Sequence, residues 1–193
     1  YLDLQIKYSL KYGPNTIVFM QVGSFYEIYG INNDKEKIGH HIKNVTELIN
    51  IQLSRKNKSI LENSRKNPLM AGFPCVAITK FIPILLNNNF TIVIYNQHDV
   101  PDQNYKIRKF YKIFSPGTYI DNHKQSDNNF ILSIYIEEEK NLDNCTSFGI
   151  GCSLIDLSTG KTFIYECIEN KSIKQLTHCI RFIYTYEPTE III

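Results

Sequence analysis

Thr16-Ile17-Val18-Phe19-Met20-Gln21-Val22-Gly23-Ser24-Phe25-Tyr26-Glu27-Ile28-Tyr29 organises the reading of this chain. Residues 16–22 are β-branched or large and apolar, the composition of a buried strand. Gly23-Ser24 is a turn signal, and residues 25–29 read as the returning strand. On the N-terminal side, Leu2, Ile6 and Leu10 recur at helical spacing, and Gly13-Pro14 stops that helix. On the C-terminal side, a short polar helix is predicted over 34–43 and a strand over 47–53. An exposed loop is predicted over 54–68. A helix is expected near 79–88, with Pro83 either in its first turn or kinking it. Residues 90–96 and 107–114 complete the set of strands. Strands interleaved with helices read as an α/β domain.

Past the turn Ser115-Pro116-Gly117-Thr118, the polar stretch 121–129 (DNHKQSDNN) reads as a linker, and the pattern changes. Residues 130–136 and 148–157 are successive strands. Ser158-Thr159-Gly160-Lys161 is a hairpin turn, and 162–167 is the third strand. A helix near 171–184 and a strand over 189–193 follow. The predicted division is a first domain over 1–118, a linker over 119–129, and a second α/β domain over 130–193 that is incomplete. The chain opens on Tyr1 without an initiating Met and stops within an isoleucine run, so a fragment of a longer protein is expected.

With 193 residues, 43% hydrophobic and 21% charged, the composition is globular and excludes wholesale disorder. The longest aliphatic stretch, 81–86, is far short of the ~20 residues of a spanning helix. The 5 cysteines form no C-x-x-C pair and are expected to pack as buried thiols in a reducing compartment, without zinc. N-x-[ST] sequons at Asn44, Asn57, Asn144 and Asn170 carry no meaning in so Asn-rich a chain. His40 and His41, adjacent on a helix, would point apart and could not share a metal. A net charge of +2 does not announce nucleic-acid binding, but its distribution is uneven. Arg55, Lys56, Lys58, Arg65 and Lys66 share one polar stretch, and Lys106, Arg108, Lys109 and Lys112 form a second cluster. Each reads either as a solvated face or as a set of phosphate contacts.

There is no G-x-x-x-x-G-K-[ST] loop and no G-x-G-x-x-G, hence no nucleotide site of either kind. The remaining catalytic candidates are the acids Glu137, Glu138, Glu139, Asp143 and Asp156, since metal-dependent nucleases use paired carboxylates. The first three close a strand on alternating faces, however, and Asp156 precedes a turn where Asp is common for structural reasons. Phe25 and Glu27 are two apart and share a strand face. An exposed ring beside a carboxylate suits a wedge in a minor groove, with the carboxyl hydrogen-bonding the disturbed base. Spacing alone favours the plainer reading, a core Phe25 and a surface Glu27.

Residues 23–30 (GSFYEIYG) resemble the G-x-F-Y-E signature of the MutS DNA mismatch repair family. Further matches arrive in the family's order. Residues 69–74 (LMAGFP) resemble its M-A-G-[VF]-P segment, and 90–97 the strand that follows, with Gln97 at its usual Gln. Residues 113–121 (IFSPGTYID) resemble the T-P-G-T segment that closes the mismatch-binding domain. Residues 148–160 (FGIGCSLIDLSTG) resemble the D-x-S-T-G hairpin of the connector domain. The stretch 52–59 (QLSRKNKS) looks most like the branch of giant DNA viruses and octocoral mitochondria, some of whose members carry a nuclease domain further on.

The resemblance implies a mixed β-sheet mismatch-recognition domain flanked by helices, followed by part of a ribonuclease-H-like connector domain. It implies that Phe25 wedges at the mispaired base while Glu27 hydrogen-bonds it; on that reading the basic residues around 55–66 and 106–112 are expected to hold phosphates without reading bases. It implies no catalytic or metal site in these residues. It further implies ATP and magnesium for the parent protein, beyond residue 193, and a full-length homodimer that binds mismatched double-stranded DNA. Virus factory, nucleus and mitochondrion all remain open as its compartment. Two departures are visible: Ser24 where the family often has Asp, and Cys75-Val76 where it often has Tyr-His. The rival readings are a ribonuclease-H-like nuclease built on the acids near Asp156, and a protein-interaction module. The nuclease would need an Asp on its first strand, and residues 130–136 have none.

Overall fold

The computed structural model describes residues 1–39, 41–101, 105–119, 129–140, 146–170 and 176–193. The chain divides into two units, Tyr1–Pro116 and Gly117–Ile193. The linker residues 120–128 lie outside the described residues. Among the described residues no helix is long and apolar enough to cross a membrane.

The first unit opens with helix α1 (Leu2–Tyr12) and continues into strands β1 (Thr16–Val22), β2 (Phe25–Asn32) and β3 (Lys37–Ile38). Helix α2 (Ile42–Leu48) precedes β4 (Ser54–Arg55) and β5 (Leu69–Pro74). Helix α3 (Ile78–Leu86) and the strands β6 (Thr91–Asp99) and β7 (Lys106–Phe114) complete it. The sheet runs β4-β5-β2-β1-β6-β7, with β3 beside β2. All its pairings are antiparallel except β1 with β6. Strand alternation sends Ile17, Phe19, Ile28, Ala71, Phe73, Ile92 and Ile94 to one face, where all are at most 2% exposed. Helices α2 and α3 contact this sheet and bury Ile42, Val45, Ile49, Phe81, Ile82, Leu85 and Leu86. Helix α1 covers one end of the opposite face, where Tyr8 packs with Val18 and Val93.

Several local expectations are corrected. The helix over 34–43 is a hairpin instead: Ile31 pairs with Ile38, and Asn33 Oδ1 accepts the N–H groups of Lys35 and Glu36. An Asx turn of this kind competes directly with a helical first turn. The strand over 47–53 is instead the end of α2 and an irregular segment, with Asn50 at φ 52°. Ile42, Val45, Thr46 and Ile49 are all buried, a helical row whose β-branched members mimic a strand. Pro83 lies inside α3, preceded by a 3-10 turn over Cys75–Ala77.

The buried face of α1 also differs from the apolar row. Leu10 is 83% exposed, whereas Gln5 is 1% exposed. Pairing of β1 with β2 begins only at Met20, which leaves the earlier backbone of β1 open on that side. The Gln5 amide fills the gap: Nε2 donates to the Thr16 carbonyl at 2.6 Å, and Oε1 accepts the Val18 N–H at 3.0 Å. A buried backbone group without such a partner would be costly, so satisfaction of the ladder outweighs apolar periodicity.

The second unit is a meander of β8 (Phe130–Lys140), β9 (Thr146–Asp156) and β10 (Thr162–Asn170), then α4 (Thr177–Tyr186) and β11 (Glu190–Ile192). The sheet order is β10-β9-β8-β11, with β11 parallel to β8. The strands extend further than the hydrophobic runs suggested. Cys179 of α4 packs on Leu132, Ile134, Ile150, Cys152 and Leu154. Burial pushes the Cys152 thiol up to about 11, so it is held protonated and unreactive.

Asp156 is the organiser of this unit. It is 1% exposed, and its Oδ1 accepts the N–H groups of Asn129 at 3.1 Å and Ser158 at 2.9 Å. Its Oδ2 accepts the Thr159 hydroxyl at 2.5 Å. The Thr159 hydroxyl foremost, then the Asn129 N–H, holds the carboxyl below its ordinary value of 3.8. A lowered folded-state value means the contribution to stability is complete above that ordinary value and is lost as pH falls below it. Asp156→Asn therefore lowers the melting temperature at neutral pH, and the gap to wild type narrows in acid. Melting curves across pH 2–7 (on the order of the carboxylate range) check this, and a gap independent of pH would refute it.

Candidate nucleic-acid interface

Strand β2 presents its residues alternately. Tyr26 and Ile28 face the core, 7% and 1% exposed, while Phe25, Glu27 and Tyr29 share the other face. Phe25, at the strand's first position, is 44% exposed, and Glu27 and Tyr29 are half-buried. Cross-strand neighbours define two rows on this face: Val22–Phe25–Pro74 and Met20–Glu27–Gly72. Helix α1 covers the other end of the sheet face, around Val18, Val93 and Tyr29. Phe25 thus stands at the uncovered end.

The turn that carries Phe25 is tight. Val22 pairs with Phe25, leaving Gly23-Ser24 as a two-residue loop, and Gly23 has φ 62°. Such loops need a positive φ, which glycine adopts at little cost. The Cys75 N–H donates to the Ser24 carbonyl at 2.9 Å, tying the loop to the end of β5. The two departures from the resembled pattern, Ser24 and Cys75-Val76, are therefore joined through backbone. Val76 beside them is 88% exposed. Underneath, the Tyr26 hydroxyl donates to Asn96 Oδ1 at 2.7 Å, and burial raises its pKa.

Glu27 is held from two directions. The Tyr29 hydroxyl donates to its Oε2. Burial first, then this carboxylate, raises the Tyr29 pKa, so the phenol remains a donor. Across the strand, a Cβ built on Gly72 would lie 3.1 Å from the Tyr26 carbonyl and 3.3 Å from Glu27 Cγ. The glycine leaves the space that the glutamate stem occupies. Strand alternation could have revealed Tyr29 as a neighbour of Glu27, and an exposed Gly within a strand signals such a close approach. Both lie within the quoted motif segments, which by themselves do not say what either residue touches.

The basic residues predicted as phosphate contacts fall into two groups. Arg55 Nη1 donates to the Leu61 carbonyl at 2.6 Å, and Arg65 bridges Glu36 at 2.6 Å and Asp3 at 3.3 Å. Both guanidinium groups thus brace their own unit. Lys56, Lys58 and Lys66 are exposed on the same loop. That loop is not an unstructured excursion: Asn67, 3% exposed, donates to the carbonyls of Asn57, Ile60 and Glu62 and accepts the Asn57 N–H. On β7, Lys106, Arg108, Lys109 and Lys112 are exposed together with Phe110 and Tyr111.

The acids considered as a nuclease site do not converge. Asp156 pairs with Phe130 at one end of β8, and Glu137 lies seven residues along, about 23 Å away at the usual strand rise. Asp143 lies outside the described residues. Both carboxylate oxygens of Asp156 are already engaged by its own hairpin and Asn129. The arrangement is that of a turn scaffold.

Comparison with known proteins agrees with the motifs. The family model described as MutS domain I matches residues 5–123. A mutS homolog of Acanthamoeba polyphaga mimivirus is 35% identical over 100% of the chain, which covers 17% of that protein. The DNA mismatch repair protein MutS of Methanosarcina barkeri is 29% identical over 84% of the chain and 17% of its own length. That of Thermodesulfovibrio yellowstonii is 28% identical over 98% and 18%. The chain spans about one sixth of the length of these relatives. With a domain I match over most of its residues and a viral homolog aligned end to end, the chain belongs to the MutS DNA mismatch repair family.

Proposed function

We propose that this chain is the mismatch-reading part of a larger MutS protein, with Phe25 as the probe and Glu27 as its polar companion. The observation that carries this reading is the half-exposed Phe25 ring at the uncovered end of the sheet, on the same face as a carboxylate already oriented by Tyr29. An apolar wedge unstacks a base step and kinks the duplex. A mispaired step deforms at lower cost than a matched one, so recognition proceeds by deformability and not by sequence. Glu27, a repelled charge near phosphates, contributes by hydrogen-bonding the displaced base. Its oriented carboxylate is ready without a rotamer search.

Phosphate contacts come from Lys56, Lys58 and Lys66, with the β7 cations as a second set, while Arg55 and Arg65 shape the loop. These contacts position the duplex without reading it. The sequence carries no glycine-rich loop followed by Lys and Ser or Thr, the phosphate-binding loop of many nucleotide sites. Nucleotide hydrolysis and homodimer formation are assigned to the remainder of the parent protein. Of the described cysteines, Cys152 and Cys179 are buried as thiols while Cys75 and Cys167 are only half-buried, and cysteines kept as thiols suit a reducing compartment.

Titration of mismatched and matched duplexes with the full-length protein tests the reading; equal affinity for both would overturn it. The lysines have their own signature. Replacing Lys56, Lys58 and Lys66 by Ala should weaken both duplexes alike and reduce the log–log salt slope by roughly 0.9 for each phosphate no longer neutralised. An unchanged slope would return that loop to a solvated face.

A further inference from the structure

Between the Gly23-Ser24 turn and the edge of the sheet lies a bridge of side chains that no local motif predicts. Backbone pairing of β1 with β6 ends at Met20–Tyr95, just before the turn. Beyond it, the two strands are joined by reciprocal glutamines. The Gln97 N–H donates to Gln21 Oε1 at 3.0 Å, and Gln21 Nε2 donates to the Gly23 carbonyl at 3.0 Å. Gln97 Oε1 in turn accepts the Gly23 N–H at 3.2 Å. Arg108, paired with Gln97 across β6 and β7, donates through Nη2 to the same Oε1 at 3.3 Å and through Nε to the Gln21 carbonyl at 3.4 Å.

We propose that Gln97 and Arg108 are positioning residues for Phe25, clamping the β1–β2 turn from the β6 side so that the ring is presented at a fixed height. The inference rests on the reading of Phe25 as the probe. A two-residue loop closing two strands leaves amide groups of the turn directed outward, and Gly23 is the most permissive residue of this one. Backbone from Cys75 restrains the loop on the β5 side only. On the other side Gln97 Oε1 holds the Gly23 N–H and Gln21 Nε2 holds the Gly23 carbonyl, and the guanidinium orients the Gln97 oxygen by its planar fork. A probe that must unstack a base works only if its own support yields less than the base step does, and site geometry loosened by about an ångström forfeits function. Arg108 also belongs to the basic stretch of β7, so its charge attracts phosphate while its geometry holds the turn.

Substitutions separate these roles. Gln97→Leu removes the acceptor, Gln97→Glu keeps an acceptor oxygen for both Gly23 and Arg108, and Arg108→Lys keeps the charge while losing the fork. Hydrogen exchange of the Gly23 amide, followed by NMR on the 193-residue chain, should accelerate in Gln97→Leu and Arg108→Lys and be restored in Gln97→Glu. In the full-length protein the ratio of mismatched to matched affinity should fall roughly 3- to 10-fold in Gln97→Leu, the weight of one or two hydrogen bonds, and recover in Gln97→Glu. Arg108→Lys should lower the ratio as well, where a pure phosphate contact would weaken both duplexes equally. Unaltered Gly23 exchange in Gln97→Leu overturns the clamp. So does a wild-type affinity ratio in Gln97→Leu alongside an abolished one in Phe25→Ala, and that result leaves the probe standing. A wild-type ratio in Phe25→Ala overturns the probe itself, whatever the glutamine does.

Discussion

Phe25→Ala removes the preference of the full-length protein for mismatched over matched DNA and leaves its melting temperature nearly unchanged. Base–aromatic stacking contributes about 1–3 kcal/mol per base, which corresponds to a loss of roughly 5- to 150-fold in mismatch affinity. The fold tolerates the loss because the ring is 44% exposed and its strand neighbours on that face, Val22 and Pro74, are themselves half-buried and exposed. Little cavity forms where solvent already reaches. Glu27→Ala has a different signature, since it removes a charge that phosphates repel along with a hydrogen bond. Matched binding tightens while the ratio falls. Paired melting curves and duplex titrations of both variants check these outcomes. A Phe25→Ala protein that melts far below wild type, or discriminates as wild type does, would return Phe25 to the core.

Phe73→Ala has the opposite profile and the largest expected effect on stability. Phe73 is 2% exposed and lies edge-on to Phe19 at 5.2 Å and to Phe81 at 4.8 Å, with Tyr26 at 6.1 Å. It therefore joins β5 to β1, β2 and α3 at one point. Truncating a buried Phe costs about 3–5 kcal/mol, and the forfeited edge-to-face pairs are already contained in that figure. That is a large fraction of a typical domain's stability of about 5–15 kcal/mol. Thermal or urea unfolding should show the loss directly. Both phenylalanines lie in segments that resemble family motifs, on adjacent strands of one sheet, yet one substitution is expected to act on mismatch discrimination and the other on stability. A Phe73→Ala chain as stable as wild type would contradict the packing described here.

Much of the architecture was legible in local patterns. The strand–turn–strand over 16–29 and the meander over 130–167 were readable because dense β-branched runs flank glycine turns, and both signals are contained within a dozen residues or so. The ordered motifs also identified the family without any tertiary information, since they are strings of residues and need no geometry. Alternation put Phe25 and Glu27 on one strand face. It could not say which face is covered.

Tertiary structure decided that, and the remaining questions with it. Residues 42–48 became a helix because the sheet face above Ile28 and Ala71 needed a helical row of apolar side chains, which β-branched residues supply despite their strand preference. Gln5 is buried because the backbone of β1 lacks β2 as a partner before Met20, a deficit visible only once the register is known. Arg65 pairs on the surface with Glu36 and Asp3, residues 29 and 62 positions away, so its place in a basic run did not reveal its partners. Composition and periodicity report what each segment prefers by itself. Exposure, register and the pairing of charges are set by contacts between segments far apart in the chain, and on these depend the presentation of Phe25 and the orientation of Glu27.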